Sequence, residues 1–132
     1  MTALSVNLNK IALLRNSRGR DYPSVVDFAR RFITLGVQGI TIHPRPDERH
    51  ITRQDAYDLA DFLKGHPDVE LNIEGYPNEE FLQLIDVIKP DQCTLVPDVE
   101  DQLTSDHGWN FNDHADFVHL VISQINTWGI RT

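Results

Sequence analysis

The sequence has 132 residues, 40% of them hydrophobic, and a formal net charge of −8 at pH 7. That length suits one domain with a buried core, and the acidic balance argues against nucleic acid as a partner. No apolar run approaches the ~18 residues of a membrane span, and the opening MTALSVNLNK lacks the basic and apolar regions of a signal peptide; a cytoplasmic protein without membrane contact is expected.

Cys93 is the only cysteine and is flanked by apolar residues, so a buried structural thiol is expected rather than a disulfide or a nucleophile. The charge is unevenly spread. Nine lysines and arginines in residues 1–53 face four carboxylates, a local +5 that leaves −13 on residues 54–132. A basic region inside an acidic protein fits a small anionic ligand; an unevenly charged solvated surface is the plainer alternative.

In chain order, residues 4–8 (LSVNL) read as a strand. A polar segment, 9–23, follows and sets Lys10, Arg15, Arg18 and Arg20 around Gly19, which could wrap an anion or simply be solvated. Ser24 caps a helix with Val25, Phe28, Ala29, Phe32 and Ile33 on one face, ended by Gly36. Residues 39–43 (GITIH) form a second strand. A helix over 52–64 buries Ala56, Leu59, Ala60 and Leu63, with Gly65 at its end. Residues 70–73 (ELNI) are a third strand, and Asn78 caps a helix carrying Phe81, Leu84, Ile85 and Ile88, stopped by Pro90. A fourth strand spans 92–96 (QCTLV). After a polar loop, Asn112 or Asp113 opens a helix with Phe117, Leu120, Val121, Ile125 and Trp128. Gly129 closes it, and IRT reads as the start of another strand.

Four βα units in succession predict a parallel sheet with crossover helices. No glycine-rich phosphate loop follows any strand. A flavodoxin-like open sheet is one solution. The spread of polar residues over all four strand ends fits a TIM (β/α)8 barrel better, because there every strand end meets at one rim. Four units make half of such a barrel, so residues 1–132 are read as the N-terminal half of a single barrel domain. Two unpaired edges and an uncovered apolar interior face are then expected, which points to a homo-oligomer.

The chemistry concentrates in TIHPRPDERHI, residues 41–51. His43 ends a strand, where an imidazole can move protons near neutral pH, and Arg45 two residues later can grip a phosphate or carboxylate. His50 lies close to the next helix start, another anion-favouring position, with Arg49 nearby. A hydrogen-bonded structural histidine is the alternative for His43. Glu74 leaves a buried strand, where partial burial suits a carboxyl to acid/base work; an ion pair with an arginine is the plainer role. Thr104 could donate its hydroxyl to a phosphate. No HxH or HExxH spacing recommends a metal site, and no nucleophile elbow recommends a serine hydrolase.

Together VNLNKIALLRNSRG, GITIHPRPDERHI, LNIEGYP and TLVPD…QLTS…GW resemble the pyridoxine 5′-phosphate synthase family over essentially the whole chain. The resemblance implies a (β/α)8 barrel in vitamin B6 biosynthesis. It also implies condensation of 1-deoxy-D-xylulose 5-phosphate with 3-amino-2-oxopropyl phosphate to pyridoxine 5′-phosphate, phosphate and water, with no cofactor. By the same resemblance His43 is a proton acceptor and Glu74 a second acid/base residue. Asn7 and Arg18 match positions that hold the amino-ketone phosphate. Arg45, His50 and Thr104 match positions that bind the sugar phosphate. Asn9 and Lys10 stand where many members carry an Asp-His pair, a change that keeps hydrogen bonding but not proton transfer. A truncated half-barrel that binds phosphorylated metabolites without catalysis, or only self-associates, is the competing reading.

Overall fold

The alternation of β-type and helical segments folds as nine elements in a computed structural model, which describes residues 2–99 and 101–132. These are β1 (Ser5–Asn7), α1 (Asn9–Arg18), α2 (Val25–Thr34), β2 (Gly39–Ile42), α3 (Arg53–Leu63), β3 (Glu70–Gly75), α4 (Glu79–Ile88), β4 (Gln92–Leu95) and α5 (Phe111–Thr127). The strands form one parallel sheet in the order β1-β2-β3-β4. Each strand therefore pairs with its predecessor in the chain, unlike the order of a flavodoxin-like sheet, where the second strand lies outside the first. Arg131 adds a parallel bridge to Gln92, and Cys93 N–H donates to its carbonyl at 2.7 Å, so the IRT segment, expected to begin a strand, makes one isolated bridge beside β4.

Strand side chains alternate between two faces. Ile40, Ile42, Leu71, Ile73 and Cys93 are buried in the core with Ala29, Ala56, Leu59, Leu84, Ile85 and Ile125 of the helices. Burial pushes the Cys93 thiol up to about 12, as befits an inert packing group. The intervening side chains correct one expectation. The uncovered face is polar rather than apolar: Ser5 and Thr41 hydroxyls share a hydrogen bond at 2.7 Å, Asn72 Nδ2 donates to Thr41 Oγ1 at 3.3 Å, and Thr94 Oγ1 donates to Asn72 Oδ1 at 2.9 Å. A row of hydrogen-bonded side chains thus crosses all four strands. Its aggregation hazard lies in the strand edges, not in this face.

Helix caps follow local chemistry. Ser24, Thr52 and Asn78 accept from the Asp27, Asp55 and Phe81 amides, and Thr52 with Asp55 completes a capping box. The segment over 9–23, expected as a polar wrap, is instead helical through Arg18, with Gly19 in the left-handed conformation (φ 60°) as its stop. Its periodicity is weak because Leu13 and Leu14 are exposed while Ala12 is buried, so polar tethers rather than an apolar stripe dock it. The cap of α5 is Asn110, not Asn112 or Asp113. Its buried stripe is Val118, Val121 and Ile125, and Leu120 is 69% exposed. Phe117 leaves that stripe to stack with Tyr76 and approach Trp109. No helix among the described residues is long and apolar enough to cross a membrane.

Gly75, at the end of β3, shows how tightly the site-bearing strand meets its helix. A Cβ there would lie 2.2 Å from Phe81 Cε2 and 2.4 Å from Cδ2 of the same buried ring. Gly75→Ala is expected to destabilise the fold by about 1–3 kcal/mol through overpacking. Urea denaturation reads it, and an unchanged midpoint would refute the contact.

Candidate functional site

Asn7, His43 and Glu74 stand at or near the C-terminal ends of β1, β2 and β3, with Asn9 and Arg45 just beyond, whereas Arg18 and Thr104 lie farther along α1 and the loop after β4. His43 is the first residue past β2 and only 6% exposed. Its backbone N–H donates to Asn9 Oδ1 at 2.9 Å, and Asn9 N–H donates to Asn7 Oδ1 at 2.8 Å. The two asparagines therefore sew the end of β1 to the end of β2. Lys10 follows in the first turn of α1, exposed to solvent. Glu74 lies inside β3, which runs two residues further than expected.

Electrostatics separate the two proton-handling candidates. Burial, then Arg45, lowers the His43 pKa to about 4, keeping its imidazole neutral at pH 7 and free to accept a proton. Burial, then the nearby Asp98 carboxylate, raises Glu74, favouring its protonated form. The ion pair that was the plainer role for Glu74 is not formed among the described residues; Asn7 Nδ2 reaches its Oε2 at a long 3.4 Å. A base held neutral and an acid held more protonated on neighbouring strands match proton transfer in both directions.

His43 also gives a stability signature. Its folded pKa lies below the ordinary 6.5, so the unfolded chain binds the proton first as the pH falls. Its contribution is present above ~6.5 and is lost progressively as the pH drops towards about 4. Glu74 acts with the opposite sign, favouring the fold at low pH and weakening it as the pH climbs through its raised value. Urea denaturation of the wild type and His43→Gln across pH 7 to 4 isolates the histidine. The variant should lose the part of the decline that starts near pH 6.5. Superimposable profiles would show that His43 is not buried neutral.

The cationic part of the site is more occupied than the sequence implied. Arg45 is buried, its Nη2 donates to the Gln102 carbonyl at 2.7 Å, and the same nitrogen lies 3.5 Å from Asp98 Oδ2. Arg49 Nη1 donates to the Gln102 and Leu103 carbonyls, both at 3.1 Å, and its Nε pairs with Asp47. The two arginines thus hold the loop after β4, where Thr104 stands exposed. Ser105 Oγ donates to Asp98 Oδ2 at 2.5 Å, fastening the loop at a second point. An anion that contacts Arg45 must compete with the Gln102 carbonyl.

His50 is half-buried beside Arg49, with its ring centroid 6.1 Å from that of His43. Arg18 is exposed in the last turn of α1. Arg15, read as able to wrap an anion or simply be solvated, does neither and makes a two-point ion pair with Asp55 of α3 at 2.5 and 2.8 Å. Beside the strand ends lies a cleft of about 490 Å³ bounded by His43, Arg45, Tyr76, Phe81 and Asp98. Asp98 was missed in the sequence although it ends the quoted TLVPD; only the fold reveals it as a buried carboxylate between Arg45 and Ser105. Among the described residues, no three or more His, Cys, Asp or Glu side chains are grouped to hold a metal ion.

Comparison with known proteins bears on this arrangement. A family model described as "Pyridoxal phosphate biosynthesis protein PdxJ" matches residues 4–132. Proteins named pyridoxine 5′-phosphate synthase from Bacteroides thetaiotaomicron and Porphyromonas gingivalis are each 52% identical over 132 residues, and one from Christiangramia forsetii is 50% identical over the same length. All of this chain is covered, but only 54% of each relative, so the chain spans about half the length of the curated relatives it matches.

Proposed function

The chain belongs to the PdxJ family of pyridoxal phosphate biosynthesis proteins, and from that premise we propose that it forms the first half of a pyridoxine 5′-phosphate synthase. In this reading its four βα units are the first four of a (β/α)8 barrel. The sequential parallel order β1-β2-β3-β4, continued by Arg131, supports that architecture. The substrates are 1-deoxy-D-xylulose 5-phosphate and 3-amino-2-oxopropyl phosphate.

The observation that carries the proposal is the buried His43 just past β2 with the part-buried Glu74 in the neighbouring β3, where burial lowers the pKa of the first and raises that of the second. Condensing an amine with a ketone and then expelling water requires protons to be removed at carbon or nitrogen and delivered to departing oxygen. His43 takes the first kind of proton as a neutral base, and Glu74 alternates between donor and acceptor. Asn7 Nδ2, which reaches Glu74 Oε2, orients that carboxyl, and in this reading Asn7 and Arg18 hold the amino-ketone phosphate. Asn9, Lys10, Arg45, His50 and Thr104 bind the sugar phosphate; Asn9 and Lys10 do so by hydrogen bonding and charge, without proton transfer. The protein works as a homo-oligomer.

The test supplies both phosphorylated substrates to this chain alone and to the chain co-expressed with the remaining portion of the Bacteroides thetaiotaomicron relative. Pyridoxine 5′-phosphate formed by the complemented assembly is the expected result. Substrate binding without product would favour the non-catalytic half-barrel, and neither binding nor product would overturn the assignment.

A further inference from the structure

The sequence LLRN in α1 sends two adjacent side chains to the loop that bears His50, thirty-four residues away. Asn16 Nδ2 donates to the His50 carbonyl at 2.8 Å and to the Arg49 carbonyl at 3.1 Å. Arg15 Nη2 also reaches the His50 carbonyl, at 3.4 Å. Arg15 is itself immobilised, because Asp55 takes both its terminal nitrogens and Asn16 Oδ1 accepts from Nε and Nη2 at 3.1 and 3.0 Å. Asp55 in turn accepts from the Thr52 amide at 2.8 Å and closes the cap of α3. The Arg15 and Asp55 side chains are only 11% and 10% exposed, so this bidentate pair is shielded from water.

The gripped carbonyl belongs to the peptide joining His50 to Ile51. The N–H of that peptide points the other way and donates to His50 Nδ1 at 2.9 Å. A backbone N–H has no lone pair to offer, so Nδ1 must be the acceptor and the ring proton must sit on Nε2. One peptide plane is thereby held from behind by α1 and reads out at the front as an imidazole tautomer. Ile51, fully buried, anchors the same peptide from its other side.

We propose that Arg15 and Asn16 are positioning residues which, by gripping the His50–Ile51 peptide, fix His50 as the Nε2–H tautomer and present that N–H to a phosphoryl oxygen. The proposal rests on the reading of His50 as a substrate-phosphate contact. The opposite tautomer would turn a lone pair towards the anion and repel it. Charge is not needed for the contact: burial, then Arg45 and Arg49, hold His50 below its ordinary pKa, with Lys10 acting in the same sense and Asp47 against it. The cations supply attraction, and the neutral ring supplies a directed donor.

Long-range ¹H–¹⁵N correlation spectra of the full chain, labelled at histidine and assigned with His50→Gln, read the tautomer directly. Inorganic phosphate is then titrated while the His50 signals are followed. The wild type should show Nε2–H. Asn16→Ala, at an exposed position, should give mixed tautomers and about three- to tenfold weaker phosphate binding, the loss of one or two hydrogen bonds. Arg15→Lys keeps the charge facing Asp55 but removes the fork, and serves as the second variant should Asn16→Ala fold poorly. A purely architectural role would lower stability in either variant without moving the tautomer. An unchanged tautomer in folded variants would overturn the proposal. A shifted tautomer with His50 signals blind to phosphate in every form would uphold the relay and overturn the phosphate role of His50.

Discussion

Replacing Glu74 with glutamine is expected to lower pyridoxine 5′-phosphate formation in the complemented assembly by about 100- to 10,000-fold, the usual range for removing a general acid/base group. Glutamine preserves the volume and the contact with Asn7 but transfers no proton. The same change should leave stability at pH 7 equal or higher, because it removes a buried carboxyl that faces desolvation and the Asp98 charge. Loss of turnover without loss of stability is therefore the signature, measured by turnover and urea denaturation on the same preparation. Turnover within threefold of the wild type would remove Glu74 from the mechanism.

The second large effect concerns the loop after β4. Asp98→Ala is expected to destabilise the fold by about 3 kcal/mol, at the lower end for a buried charge losing its partner. Asp98 and Arg45 side chains are 4% and 5% exposed, and Asp98 Oδ1 has no hydrogen-bond partner among the described residues. Removing the carboxylate leaves the Arg45 guanidinium buried against the Gln102 carbonyl and releases Ser105. The pair need not be stabilising in net terms, since burying two charges costs about what their attraction returns. Accordingly, Arg45→Met combined with Asp98→Leu should recover most of the loss while abolishing phosphate affinity. Denaturation midpoints of the single and double variants decide the matter. A single variant within about 0.5 kcal/mol of the wild type would mean that the pair is solvated in solution.

Both expectations depend on one arrangement: a hydrogen-bonded polar row beneath the site and a ring of charges above it. Asn7, Thr41 and Asn72 each sit on the strand face opposite the apolar core. The shifted groups His43 and Glu74 lie where that face meets the more deeply packed loops.

Much of this was legible along the chain, for identifiable reasons. Period-two alternation in SVN, GITI, ELNI and QCTL, and the capping residues Ser24 and Asn78, are local signals, and they placed all four strands and two of the helix starts. The run GITI also sufficed to place His43 just past β2, whereas Glu74, expected just past β3, lies inside it because the strand continues to Gly75. The tertiary structure alone decided what those residues meet. Helix α1 was illegible because its docking relies on Arg15 and Asn16 reaching partners some thirty to forty residues away, not on an apolar stripe. The polar character of the open sheet face, the engagement of Arg45 by Gln102 and Asp98, and the Asp98 charge that adds to burial in raising Glu74 share that origin. Hydrophobic periodicity and capping act within a few residues, whereas ion pairs, desolvation and peptide orientation depend on groups that only the folded sheet brings together.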